Sequence, residues 1–208
     1  VKINEFGERE KIHPVMHFTK KVYYILKRGI DIIKGTRKVS LADVLHASPV
    51  PASLGVLINK KCAISLGGYN PDHWPSSDYV FNARYWSIYG IYILPKICAK
   101  YRWGVNESLK IDTLNGWLAK DFILRKSLIK KFVNSKRSNL LVKVCKLQAT
   151  VNAYLYQRDL NAKFNANDAI RSMGLRAINI YSLRLYAKSM PCIWRLLLIG
   201  SKCGIGKK

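Results

Sequence analysis

No stretch of this chain reaches the ~18 unbroken apolar residues that a membrane-spanning helix requires. The best run, residues 192–200, is short and carries Arg195. Cysteine is sparse as well: Cys62, Cys98, Cys145, Cys192 and Cys203 are widely spaced, odd in number and without a CxxC pair. That spacing excludes a disulfide framework and a zinc knuckle, leaving free thiols as the expectation. His13 and His17 stand four apart, but Pro14 separates them and no glutamate completes an HExxH pattern, so no metal site is read there. No Asp-x-Asp or Glu-x-Asp occurs, no internal repeat is visible, and no known nucleic-acid-binding motif is present.

Acidic residues are scarce too, 12 against 36 lysines and arginines, for a net charge of +24. Such a field attracts polyanions: nucleic acid, an anionic membrane or phosphorylated substrates. The cations are spread along the chain and denser after Lys110, and solvated helix faces account for most of them. With 49% hydrophobic residues the chain is not a disordered basic tail, and 208 residues suit one ordinary domain or half of a larger one. It opens on Val1, and residues 1–12 read as a short hairpin turning at Gly7. A front portion is therefore expected to be missing.

Residues 17–34 place Phe18, Val22, Ile25 and Ile30 near helical spacing. Ser40 and Asp43 form a capping box for a short helix, and residues 54–58 read as a strand. Asn59 caps a short helix that stops at Gly67 and Gly68. The segment from Trp74 to Asp78 has the chemistry of a helix start: a serine cap accepting a backbone N–H and an acid in the first turn. That helix runs to about Tyr89 and closes at Gly90, and residues 91–102 are strand-like around Pro95. Beyond Asp112 glycine and proline become rare, and helices are expected over about 113–133, 137–159 and 166–189, with Pro191 after the last. The fold class is α/β in front with a helical C-terminal region.

Asp78 is the candidate catalytic residue. A lone carboxylate near a cleft mouth can take a proton from an attacking hydroxyl, an effect commonly worth ~10²–10⁴-fold; the alternative is that it only stabilises its helix. Trp74, Tyr79, Tyr85, Trp86 and Trp103 are aromatics for sugar stacking or lipid contact, with core packing favoured for Tyr85 and Trp86. Arg102 has the planar fork to pair with a diphosphate or an acidic neighbour. In the tail, Arg176, Arg184 and Lys188 fall within an arc of roughly 120° on an ideal helix. That helix, with Trp194 and residues 196–199, either lies in a membrane interface or packs on the α/β portion.

The order GGY, PSSDY, GIYILP and YRWGVNES over residues 66–108 resembles the acceptor-binding half of family 2 glycosyltransferases with the GT-A fold. The resemblance covers residues 1–110 and implies an incomplete GT-A-like, Rossmann-like portion followed by a basic, mainly helical region, 111–208. It implies an inverting transfer from a nucleotide-sugar donor to a saccharide or lipid-linked acceptor, in cell-surface polysaccharide synthesis, with Asp78 as general base. Gly67, Gly68, Trp74, Ser77 and Trp103 are the implied acceptor contacts and Arg102 the diphosphate contact. A divalent metal, Mg or Mn, is implied for the intact enzyme, with no ligand for it identified in this chain. The chain departs from the family where Ser77 replaces the usual acid before the base and where Trp103 replaces a histidine after Tyr-Arg. The Gln-x-x-Arg-Trp motif of polymer-extruding synthases is missing, with Arg84, Tyr85 and Trp86 no substitute. The location expected is cytoplasmic, peripheral on the inner membrane face. The alternative is a non-enzymatic basic module binding nucleic acid or an anionic membrane; no specific nucleic acid partner is expected.

Overall fold

The computed structural model describes residues 2–3, 35–50, 55–94, 98–99, 101–102, 110–160, 164–177 and 183–198. Helix accounts for 69% of them. Strand is confined to two short pairings. Strand β1 (Lys2–Ile3) lies parallel to β4 (Tyr101–Arg102), with Lys2 opposite Tyr101. Strand β2 (Arg37–Lys38) runs antiparallel to β3 (Tyr92–Ile93), extended by the Val39 N–H donating to the Ile91 carbonyl at 2.8 Å. A Rossmann-like sheet is therefore not seen among the described residues, and helix dominates where an α/β front portion was expected. Residues 55–58 form no strand, and Leu57 is 96% exposed, which denies that run the buried face a central strand needs. The expected hairpin over residues 1–12, beyond Lys2–Ile3, and the helix over 17–34 lie outside the described residues.

Helix α1 (Leu41–His46) starts as its sequence demands. The Ser40 hydroxyl accepts the Asp43 N–H, and the Asp43 carboxylate accepts the Ser40 N–H at 3.0 Å. Helix α2 (Lys60–Ser65) is capped by Asn59, and α3 (Ser77–Tyr89) ends at Gly90. A long hairpin follows, α4 (Ile111–Phe132) and α5 (Ser135–Leu160), joined through residues 133–134. Asn165 caps α6 (Ala166–Ser172), and α7 (Leu183–Leu197) closes the described chain. The single helix expected over 166–189 is thus two, because the turn at Met173 and Gly174 ends α6. Arg176 consequently lies in non-helical chain and shares no helix face with Lys188. Pro191 stands inside α7 rather than after it. A proline there removes one backbone hydrogen bond, a loss opposed by the burial of Met190 and Trp194 on either side of it.

One apolar core crosses residue 110. Leu45 of α1, Trp86 of α3, Ile129 of α4, Cys145 of α5 and Trp194 of α7 all belong to it and are fully buried. The Trp86 indole N–H donates to the Val39 carbonyl at 2.8 Å, so α3 holds the chain entering α1. Trp194 donates to the Gln148 side chain, whose amide in turn donates to the His46 carbonyl. Trp194 therefore ties α7 through α5 to α1 and is no membrane anchor. A smaller apolar cluster joins Leu114 and Leu118 of α4, Ala153 of α5 and Ile170 of α6. Among the described residues no helix is long and apolar enough to cross a membrane.

Candidate functional site around Asp78

The chain from Gly67 to Asp78 is a run of tight turns seated on α3 and α4. Gly67 and Gly68 have φ of +76° and +64°, where a β-carbon is disfavoured, and open space faces both. Next to them the Tyr69 ring lies 4.5 Å from that of Phe81, tying the glycine turn to α3. Asn70 then caps a single 3₁₀ turn, Pro71–His73, by accepting the Asp72 N–H at 2.8 Å. Lys120 of α4 donates to the Asp72 carbonyl at 3.0 Å. Pro75, after a cis peptide bond, rests against Gly116 of α4. A β-carbon on that glycine would stand 3.0 Å from the proline Cδ, so the missing side chain is what lets the turn lie down on the helix.

Ser76 follows, fully buried, at the N-cap of α3. The cap bond expected of it is not formed. Its hydroxyl instead donates to Asp121 Oδ1 of α4 at 2.8 Å, because α4 brings a buried carboxylate within reach. Asp121 also meets Arg125 one turn on, at 3.3 Å. Arg125 is 3% exposed, donates from Nε to the Leu45 carbonyl at 2.9 Å and lies over the Tyr79 ring. Tyr79 donates its hydroxyl to the Val44 carbonyl. Burial pushes the Tyr79 hydroxyl well above its usual range. Burial also works against the charge on Arg125, but the neighbouring Asp121 carboxylate favours it and the guanidinium's proton affinity is raised.

Asp78 stands at the open end of this network, in the first turn of α3 and partly buried. Its Oδ1 accepts the Tyr79 N–H at 2.7 Å. Burial raises its proton affinity above that of an ordinary aspartate, although two backbone N–H groups pull the other way. The Asp121 carboxyl is raised too, first by burial and in part by the neighbouring Asp78 charge. Two carboxyl groups and a buried guanidinium thus share one corner between α3 and α4. One turn beyond Asp78, on the same face, Asn82 is buried, with its Nδ2 lacking a hydrogen-bond partner among the described residues.

Of the residues singled out by sequence, Trp74, Ser77 and Asp78 fall within one five-residue stretch, with Trp74 54% exposed and Ser77 partly buried. Gly67 and Gly68 precede Tyr69, whose ring packs on Phe81 of the same helix as Asp78. Tyr79 and Trp86 are buried structural residues and offer no face to a sugar, whereas Tyr85 is partly buried in a row of rings with Phe81 and Tyr89. Arg102 contributes backbone to β4. Its side chain, and all of Trp103, lie outside the described residues. Asp121 and Arg125 escaped the sequence reading; an Asp-x-x-x-Arg pair on an otherwise apolar helix face was the signal that could have found them. Among the described residues no cluster of three or more His, Cys, Asp or Glu could hold a metal ion. Comparisons with protein-family models, with curated proteins and with solved structures return no match.

Proposed function

We propose that this chain is the acceptor-binding part of an inverting, family 2-like glycosyltransferase of GT-A type, with Asp78 as general base. Residues 1–110 form the acceptor half in this reading, and residues 111–208 are its basic, mainly helical companion. The sugar passes from a nucleotide-sugar to a saccharide or lipid-linked acceptor in cell-surface polysaccharide synthesis. The work is done peripherally on the cytoplasmic face of the membrane.

The observation that carries this reading is the placement of Asp78. It is a partly exposed carboxyl with raised proton affinity, four residues along the chain from the exposed indole of Trp74. An acceptor hydroxyl is a weak nucleophile until a base takes its proton as the new bond forms. The oxygen–anomeric carbon bond then forms as the bond to the nucleoside diphosphate breaks, and the proton passes to Asp78. A carboxylate whose proton affinity is raised by burial is a stronger base than one in open water. Ser76, held by Asp121, fixes the start of α3 and so fixes where Asp78 points. Trp74 offers a flat apolar face for a sugar ring. A divalent cation on the diphosphate belongs to the family pattern; the described residues do not form a site for one, and no step here passes through it.

In a protein competent for transfer, Asp78→Asn is expected to keep nucleotide-sugar binding and to lower transfer by ~10²–10⁴-fold. Transfer within a few-fold of the unsubstituted protein would remove Asp78 as the base.

A further inference from the structure

The 33 residues from Cys62 to Leu94 carry three charged side chains, Asp72, Asp78 and Arg84, although 23% of the whole chain is charged. They also carry eight aromatic residues, against an aromatic content of 11% overall. The +24 charge of the chain is thus made elsewhere, and α3 with its flanking turns is a neutral, aromatic region. A polyanion would find least to hold here, because binding one takes cations along its length.

Four of those rings form an unbroken row. Tyr69 lies 4.5 Å from Phe81, Phe81 6.0 Å from Tyr85 and Tyr85 5.1 Å from Tyr89, centre to centre. Phe81, Tyr85 and Tyr89 are spaced four apart on α3, so they line one face of that helix. Phe81 is buried and forms the floor, Tyr85 is half-buried, and Tyr69 and Tyr89 are 47% and 42% exposed at the two ends. The Tyr89 hydroxyl shares a 2.8 Å hydrogen bond with Ser65 of α2, which holds that ring in place. Tyrosines fixed in this way lose little conformational freedom when a ligand covers them.

The chemistry of the row selects its occupant. Successive planes are turned by 41°, 48° and 52°, so the rings offer a staggered series of small faces rather than one flat platform. Nucleobases stacked on such rings need phosphate-neutralising cations alongside, and between Cys62 and Leu94 the sequence supplies Arg84 alone. A second copy of this chain would bring +24 to meet +24. A sugar ring, by contrast, has an apolar C–H face that packs on an aromatic face and a rim of uncharged hydroxyls that stays in water. Linked sugars also turn relative to one another, as these planes do. We propose that Tyr69, Tyr85 and Tyr89 form a binding track for an uncharged saccharide chain, covering more than one sugar ring. Naming the acceptor as a neutral oligosaccharide rests on the glycosyltransferase reading; the track itself does not.

Calorimetric titration of the full chain with maltohexaose, cellohexaose and mannohexaose tests it, with glucose as the single-ring control. At least one hexasaccharide is expected to bind more than ~10-fold tighter than glucose, because it covers several rings. Added salt should leave that affinity unchanged, since no charge pairs are made. Tyr69→Ala and Tyr89→Ala should each weaken binding by about two- to tenfold, the range for one aromatic contact, and Y69A/Y89A by more than either. Tyr85→Phe, which keeps its ring, should bind as the parent does. So should Tyr92→Ala, which removes an exposed tyrosine of β3 outside the row. The track is overturned by absence of binding to all of these hexasaccharides, by equal affinity for glucose, or by equal loss in Tyr92→Ala. It is overturned as well by no loss in Y69A/Y89A with unchanged circular dichroism, or by a generic oligonucleotide that displaces the saccharide. Self-association of the parent that vanishes in Y69A/Y89A would assign the row to a second copy and also sink it. No sugar is transferred in these measurements, so their failure leaves the role of Asp78 untouched.

Discussion

Pro75 rests on Gly116 so closely that a β-carbon at the glycine would lie 3.0 Å from the proline Cδ. The glycine interrupts a 22-residue helix, where alanine would ordinarily gain up to ~1 kcal/mol of helix propensity. Here the added methyl has a rigid ring against it, and overpacking of that kind costs ~1–3 kcal/mol. Gly116→Ala should therefore lower stability by about 1 kcal/mol, measured by denaturant unfolding. It should also disturb Ser76 and Asp78, which follow the proline directly. A more stable variant would mean that the turn yields and that the contact places nothing.

Asp78 has opposite signatures as a helix-stabilising acid and as a base held ready. Its proton affinity is raised in the folded state. The native state therefore binds that proton more tightly than the unfolded chain does, and ionised Asp78 weakens the fold as pH rises through its titration. Asp78→Asn should leave the melting temperature at neutral pH unchanged or higher. A clear fall would show that the carboxylate serves mainly to stabilise α3.

The pair Asp121 and Arg125 tests how firmly the corner between α3 and α4 is built. Both are deeply placed, with side-chain exposures of 15% and 4%. Removing one member of such a pair typically costs ~3–5 kcal/mol, because the other charge is left buried. Arg125→Met should reach that range and should loosen Ser76. The double variant Asp121→Leu with Arg125→Met should cost less than the two single changes added together. A loss under ~1 kcal/mol for Arg125→Met would show that the guanidinium is dispensable.

Asp43 provides the acid limit of stability. Burial opposes its charge, but the Ser40 backbone and hydroxyl and the Arg37 guanidinium at 2.6 Å prevail and lower its pKa from 3.8 to about 2. Arg195 of α7 adds a contact at 3.3 Å. A lowered carboxylate pKa stabilises the fold above the unfolded value and ceases to do so as pH falls toward the folded one. About 2 kcal/mol should thus disappear between pH 3.8 and pH 2. Unfolding followed against pH should show this loss, and Asp43→Asn should abolish that part of it.

What could be read in advance was local. The Ser40 and Asp43 capping box, the Asn59 cap, the helix ending at Tyr89 and the two long helices after residue 110 were all legible. Each is encoded by side chains within four or five positions of the backbone they serve. Ser76 shows where that reading stops. Its sequence context marks it as a cap, yet its hydroxyl goes to a carboxylate 45 residues away. Trp194 likewise has the flanks of an interfacial anchor, but the Gln148 amide and the core claim it. Around Asp78 the contiguous part of the site was visible, whereas Asp121 and Arg125 were not.

Residue order alone dictated the strong positive charge, the caps at Ser40 and Asn59, the two long helices after residue 110 and the acid at the head of α3. Those follow from composition and from interactions that close within one helical turn. Which polar groups were buried and which aromatics became core depended on how α3, α4 and α5 pack. Burial is a property of distant surfaces brought together, and a change in burial is what turns an ordinary aspartate into a basic one and a surface arginine into an internal brace.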